Sequence, residues 1–174
     1  MADDETAPTL RFAASASDYE AFGQLCRAYV DWCRGRYADM PWFFEAVFGH
    51  QGLEEELQIL PQKYGPPSGR TLLALRGGVV VAAGAWRRWS DTVCELKRLY
   101  VTDAARGLGL GRRLTDALAA SARADGFATM QLDTADRFAE AIALYESMGF
   151  AHVPPYQAYP DRLTPHLVFM ARDL

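Results

Sequence analysis

The chain has 174 residues, 50% of them hydrophobic, which suffices for one sizeable core but not for two full domains; its formal net charge is -4. No apolar run reaches the length of a membrane span, and the acidic opening Met1-Ala2-Asp3-Asp4-Glu5 has neither the basic nor the apolar region of a signal peptide, so a cytoplasmic location is expected. The acidic balance argues against nucleic acid as a partner. Cys26, Cys33 and Cys94 form no CxxC pair and read as reduced thiols, while the scattered His50, His152 and His166 indicate no metal site.

In chain order, residues 1–8 read as a flexible N-terminus and Leu10 to Ala14 as an opening strand. A helix follows from Ser17 to about Arg36, with Ser15 or Ser17 as its N-cap and Phe22, Cys26, Tyr29, Val30 and Cys33 near one face. Tyr37 to Gly69 is aromatic and marked by prolines, and reads as irregular with one helix around Gly52 to Ile59. Arg70 to Leu75 and Val79 to Trp86 flank Arg76-Gly77-Gly78 as a hairpin. A strand from Thr92 to Val101, a glycine-dense turn and a helix to about Asp125 come next. Ala128 to Thr134 reads as a strand and Asp136 to Met148 as a helix closed by Gly149; strands at Phe150 to Val153 and His166 to Arg172 end the chain. This alternation predicts one α/β domain with a mixed sheet.

Arg106-Gly107-Leu108-Gly109-Leu110-Gly111 is the segment with the clearest chemistry. A glycine turn feeding a helix start exposes backbone N–H groups and the positive end of the helix dipole, which suit phosphate oxygens; the alternative is a flexible connection. The charge pattern favours the first reading. Between Lys97 and Arg113 stand Lys97, Arg98, Arg106, Arg112 and Arg113 against the single acid Asp103, a local positive field on an acidic chain. In the preceding strand Cys94 and Leu96 share a face while Leu99 and Val101 are the next apolar pair, so the in/out phase slips by one. A β-bulge at Lys97 or Arg98 would produce that slip, as would a register fault on an edge strand.

Cys94-Glu95-Leu96-Lys97-Arg98-Leu99-Tyr100-Val101, then Arg106-x-x-Gly109-x-Gly111, then Ala141-Ile142-x-Leu144-Tyr145-x-x-x-Gly149-Phe150 resemble the GNAT superfamily of acetyl-CoA-dependent N-acetyltransferases. The resemblance runs from about Leu72 to Phe150. It implies a single domain over residues 1–174 with a mixed, mostly antiparallel twisted sheet, splayed central strands and flanking helices. It also implies that the pyrophosphate of acetyl-CoA rests on Arg106, Gly107, Leu108, Gly109, Leu110 and Gly111 with Arg112 as an added charge, and that the pantetheine arm pairs with the backbone of Leu99, Tyr100 and Val101. The acceptor is then a primary amine of a small molecule or amino acid, attacking directly in a ternary complex; a homodimer is compatible with this reading. Phe138 stands where the family often has an asparagine.

Such chemistry needs a base for the ammonium and an acid for the departing thiolate. By resemblance Glu95 is the base, acting through water, although a solvated strand carboxylate is the plain alternative; Asp133 is a second candidate. Tyr145 matches the thiolate's proton donor, or else is a core aromatic at helical spacing with Ala141 and Met148. Cys94, between Val93 and Glu95 and close to Leu96, reads as a buried structural thiol rather than an acyl carrier. For the acceptor, the aromatic cluster Tyr37, Trp42, Phe43, Phe44 and Phe48, the glutamates Glu45, Glu54, Glu55 and Glu56, and an arginine of Trp86-Arg87-Arg88-Trp89 are the available groups, with Glu54, Arg88 and Asp133 the chosen contacts. Two other functions compete. A dinucleotide-dependent oxidoreductase would use a similar strand–turn–helix, but Gly109-x-Gly111-x-x-Leu114 lacks its third glycine; a non-catalytic acyl-CoA-binding module would keep the fold alone.

Overall fold

The computed structural model describes residues 7–174, so the first six residues of the expected flexible N-terminus lie outside it. Its frame is one seven-stranded sheet in the order β1-β2-β3-β4-β5-β7-β6. The strands are β1 (Thr9–Phe12), β2 (Gly69–Arg76), β3 (Val79–Arg88), β4 (Val93–Val101), β5 (Thr129–Ala135), β6 (Ala151–His152) and β7 (Leu167–Asp173). All neighbours are antiparallel except β4 and β5. That parallel pair is held only from Val93 to Glu95 against Thr129 to Gln131. Beyond Glu95 the two strands part, as the resemblance implied.

The helices are α1 (Ala16–Arg36), α2 (Pro41–His50), α3 (Leu53–Gln58), α4 (Leu60–Tyr64), α5 (Leu110–Ala124) and α6 (Ala139–Ser147). Ser15 is the N-cap of α1, in a capping box in which its hydroxyl accepts from Asp18 N–H and the Asp18 carboxylate accepts from Ser15 N–H. Asp18 also receives Arg11 at 2.7 Å, and this ion pair leads the effects that hold its carboxyl well below the usual range. The segment from Tyr37 to Gly69 is a correction to the expected irregular stretch, because it holds three helices. Pro41 and Pro61 sit in their first turns, where a missing N–H has no intrahelical partner to lose. Read as breakers, those prolines hide the helices they begin.

Each face of the sheet carries its own layer. Leu72, Ala74, Ala82, Trp86, Cys94 and Leu96 pack with Leu114 and Leu118 of α5 and with Tyr145 of α6. On the other face Leu73, Ala83 and Ala85 meet Phe22 and Cys26 of α1 and Leu60 and Tyr64 of α4. The strand alternation therefore continues through both layers, and Cys94 is buried with its thiol pushed up to about 12 by desolvation. A thiol so placed is a packing group, not an acyl carrier.

Candidate active site

The phase slip in β4 is a bulge. Pairing with β3 jumps from Ala85 opposite Lys97 to Ala83 opposite Tyr100. Arg98 occupies the extra position at φ +56°, and no other non-glycine residue described has a positive φ. The bulge brings Leu96 and Leu99, three positions apart, onto the α5 face, while Tyr100 turns toward Tyr29 and Trp32 of α1. Gly84 makes room for it, since a Cβ there would meet Leu99 Cδ1 at 2.9 Å. With β5 already turned away, the β4 edge from Leu96 onward is free for a ligand.

The turn beyond β4 is built as a cradle. Gly107 and Gly109 both take left-handed φ, 81° and 69°, and Gly109 is the N-cap of α5 with no side chain over the helix end. The first-turn N–H groups of α5 thus remain free, in the arrangement that receives phosphate oxygens. Arg106 pairs with Asp103 at 2.9 Å and lies over the Trp32 ring at 5.2 Å; Arg112 donates to Ser147 Oγ at 2.6 Å.

A cavity of about 680 Å³ joins these parts. Leu99, Tyr100, Val101, Arg106, Gly107, Gly109, Leu110, Gly111 and Arg112 all line it, together with Asp133 and Tyr145. Leu108 does not, and its side chain is 41% exposed. Tyr145 is positioned by the end of α6. Gly149 N–H donates to Glu146 C=O and Phe150 N–H to Tyr145 C=O, both at 3.0 Å, the paired bonds of a Schellman motif. The Phe150 ring meets the Tyr145 ring edge-on at 5.6 Å. The spacing Tyr145-x-x-x-Gly149-Phe150 is therefore one geometric unit that fixes the phenol. Burial raises the Tyr145 pKa, with Asp133 adding to the rise, so the hydroxyl stays protonated at neutral pH.

The two carboxylate candidates differ in access. Glu95 is fully buried and lines neither cavity described here. It accepts from Arg87 Nε at 2.6 Å and Tyr156 Oη at 3.1 Å, with Lys97 Nζ at 3.7 Å. It is neither a solvated strand carboxylate nor a group in direct reach of a substrate. Asp133 does line the cavity, held by Lys97 at 2.8 Å and Tyr159 at 2.7 Å. Desolvation pulls its pKa up, but Lys97 outweighs it with help from Tyr159, and the net direction is down.

Two expected substrate contacts are corrected. Glu54 is exposed on α3, 3.7 Å from Arg27, and lines no cavity. Arg88 lies over the Phe127 ring at 4.9 Å, on the α5 face. Their neighbours take the inward places. Glu56 is buried, with Arg98 Nε at 2.7 Å and Lys63 Nζ in close contact, and Arg87 is the arginine turned inward. Glu56, Lys63, Arg87, Lys97 and Arg98 border a second, smaller cavity of about 160 Å³, which shares Gln51, Lys97 and Arg98 with the first. Of the aromatic cluster, Tyr37, Phe43, Phe44 and Phe48 line the large cavity and Trp42 does not. Phe138, in place of the family's asparagine, also lines it and stacks near Trp32 at 5.0 Å. Sequence reading passed over Gln51, Tyr156 and Tyr159, which lie in a turn and a long loop without periodicity.

A splayed parallel pair, a bulged strand and a glycine-capped helix opening into one cavity define a class of protein, the coenzyme A-dependent acyltransferases of the GNAT fold. The family model described as "Acetyltransferase (GNAT) family" matches residues 32–150, and the chain belongs to that family. It is 34% identical over 126 residues to an uncharacterized N-acetyltransferase of Schizosaccharomyces pombe, covering 71% of this chain and 76% of the relative. An IAA acetyltransferase of Azospirillum brasilense is 38% identical over 115 residues, covering 65% of this chain and 73% of that one. Among solved structures, PaiA N-acetyltransferase of Thermoplasma acidophilum in complex with coenzyme A superposes with a TM-score of 0.71 at 15% identity, over 95% of this chain and 99% of that one. No helix among the described residues is long and apolar enough to cross a membrane.

Proposed function

We propose that this protein is an N-acetyltransferase that transfers the acetyl group of acetyl-CoA to the primary amine of a small molecule or amino acid. The observation that carries the reading is the single cavity in which the free amides of the α5 start, the unpaired edge of β4 and the Tyr145 hydroxyl meet. The glycine turn and Arg106, Leu110, Gly111 and Arg112 hold the pyrophosphate, and the backbone of Leu99 to Val101 holds the pantetheine arm. A β4 N–H near Leu99 polarises the thioester carbonyl and stabilises the oxyanion that forms there.

The amine nitrogen attacks the thioester carbon, so that a C–N bond forms and the C–S bond breaks. Tyr145 Oη gives its proton to the departing sulfur, which a phenol kept neutral by burial can do. The attacking nitrogen loses a proton through water to the carboxylate pair. Asp133 faces the cavity and takes the near position; Glu95 acts at one remove, through the network it shares with Lys97. A carboxylate whose pKa is lowered removes little proton from a free ammonium, so the amine enters as its neutral form and the rate should rise with pH toward the amine's own pKa.

Thiol release from acetyl-CoA across a panel of amines and amino acids, with the acetylated product identified by mass spectrometry, tests the reading. At least one primary amine is expected to be N-acetylated. Acetyl-CoA binding with no amine turned over would overturn catalysis and leave an acyl-CoA-binding module.

A further inference from the structure

Around the smaller cavity two deeply placed cations, Lys97 and Arg98, and two partly exposed ones, Lys63 and Arg87, share three buried carboxylates. Lys63, Arg87, Lys97 and Arg98 face Glu56, Glu95 and Asp133, while His50, the remaining titratable side chain on the wall apart from Tyr159, stacks beside the Tyr159 ring at 4.9 Å. Glu56 serves two cations at once, Arg98 through Nε and Lys63 through Nζ. Arg98 is the cation left incompletely met: its side chain is 4% exposed, and Nη2 is buried with no hydrogen-bond partner among the described residues. A guanidinium nitrogen left without an acceptor in a desolvated site is unfavourable; the buried Tyr64 Oη nearby is itself unpaired, and an acceptor supplied from outside would complete the site. Arg98 is also the residue held at φ +56°, and backbone strain of that kind clusters where a side chain must be aimed.

A second unpartnered atom lies at the same place. Gln51 donates through Nε2 to Tyr159 Oη at 3.3 Å, but its Oε1 is buried and accepts from nothing described. Gln51 and Arg98 each line both cavities, so a donor in want of an anion and an acceptor in want of an N–H stand on the wall that the two cavities share. A single unmet guanidinium nitrogen in a cavity of about 160 Å³ fits one carboxylate oxygen.

Resting on the N-acetyltransferase reading above, we propose that the smaller cavity is an acceptor subsite in which Arg98 binds the carboxylate of the substrate. Gln51 Oε1 then receives an N–H of its amine, and the acceptor class is the amino acids, with amine and carboxylate close together. Arg87 and Lys63 form the cationic wall behind Arg98. The corresponding carboxamides and decarboxylated amines keep the nucleophile but leave Arg98 Nη2 unmet.

Calorimetric titration of the protein saturated with coenzyme A tests this, using a panel of amino acids each paired with its carboxamide. For at least one pair the acid should bind tenfold or more tighter than the amide. Arg98→Lys keeps the charge opposite Glu56 and removes the second nitrogen, so it should bring that ratio toward one while leaving coenzyme A affinity unchanged. Gln51→Leu, away from the salt-bridge network, should weaken both members of the pair by a similar factor. The proposal is overturned if no acid outbinds its amide, if no member of any pair binds, or if Arg98→Lys folds and leaves the ratio intact. Turnover of the same panel separates the two readings. Amides acetylated as well as acids would sink the carboxylate subsite and keep the transferase, whereas selective acid binding without turnover would keep the subsite and sink the transferase.

Discussion

The two sides of the cavity are built on different principles. The proposed cofactor side, from the backbone of β4 through the glycine turn to α5 and on to the end of α6, works with backbone: free amides, left-handed glycines, a bulge and one Schellman turn that aims Tyr145. The proposed acceptor side, where α3 and α4 meet β3, β5 and the side chains of the β4 bulge, works with side-chain charge gathered from distant parts of the chain. Backbone devices tolerate change in every side chain that leaves φ and space alone. Charge networks tolerate almost none, yet a different choice of partners yields a different substrate.

That contrast can be broken first at Glu56, where the largest effect is expected. Removing one partner of a buried ion pair typically costs about 3–5 kcal/mol. Glu56→Gln should therefore lower the melting temperature by roughly 10 °C for a chain of this size, with acetyl-CoA affinity little changed. Acid sharpens the same point. Desolvation raises the Glu56 pKa, but Arg98 and Lys63 outweigh it and bring it to about 2. A depressed pKa contributes stability above the unfolded value, which is lost as pH falls from about 4.5 toward 2, amounting to about 3 kcal/mol at most. Denaturant titrations at a series of pH values should show that loss in the wild type and a smaller one in Glu56→Gln.

On the cofactor side, Tyr145→Phe should lower kcat about 100-fold with the acetyl-CoA dissociation constant unchanged, since the ring and its packing on Phe150 remain. An equal loss in both would make Tyr145 structural only. Gly109→Val places a β-branched residue at φ 69° and should weaken acetyl-CoA binding by about tenfold, at a strain of 1–3 kcal/mol typical of such positions, roughly. Smallest of all, Glu54→Gln and Arg88→Ala should change kcat/KM less than about twofold, because neither side chain reaches a cavity.

The same contrast decides what was legible in the sequence. The bulge, the glycine turn and the Tyr145 unit are each contiguous, so a phase slip, two glycines and a fixed spacing announce them. Arg98 and Glu56 are 42 residues apart, and Glu95 meets Tyr156 across 61 residues; nothing in the local pattern marks such pairs. Within Glu54-Glu55-Glu56, all three acids look alike as a string. The turn of α3 alone puts Glu56 inside and Glu54 in solvent. Trp86-Arg87-Arg88-Trp89 behaves likewise, since strand alternation sends Arg87 toward Glu95 and Arg88 toward Phe127. The family was therefore readable in the sequence, while the buried charge cluster appears only once the chain is folded.

The central claim, that the β4 edge and the start of α5 form an acetyl-CoA site, is tested most directly by thermal denaturation with acetyl-CoA and, in parallel, with NAD. Acetyl-CoA at about 100 times its dissociation constant should stabilise the wild type by about 2.7 kcal/mol, and Gly109→Val should reduce the shift at the same ligand concentration. A melting temperature raised by NAD and unmoved by acetyl-CoA would contradict the account.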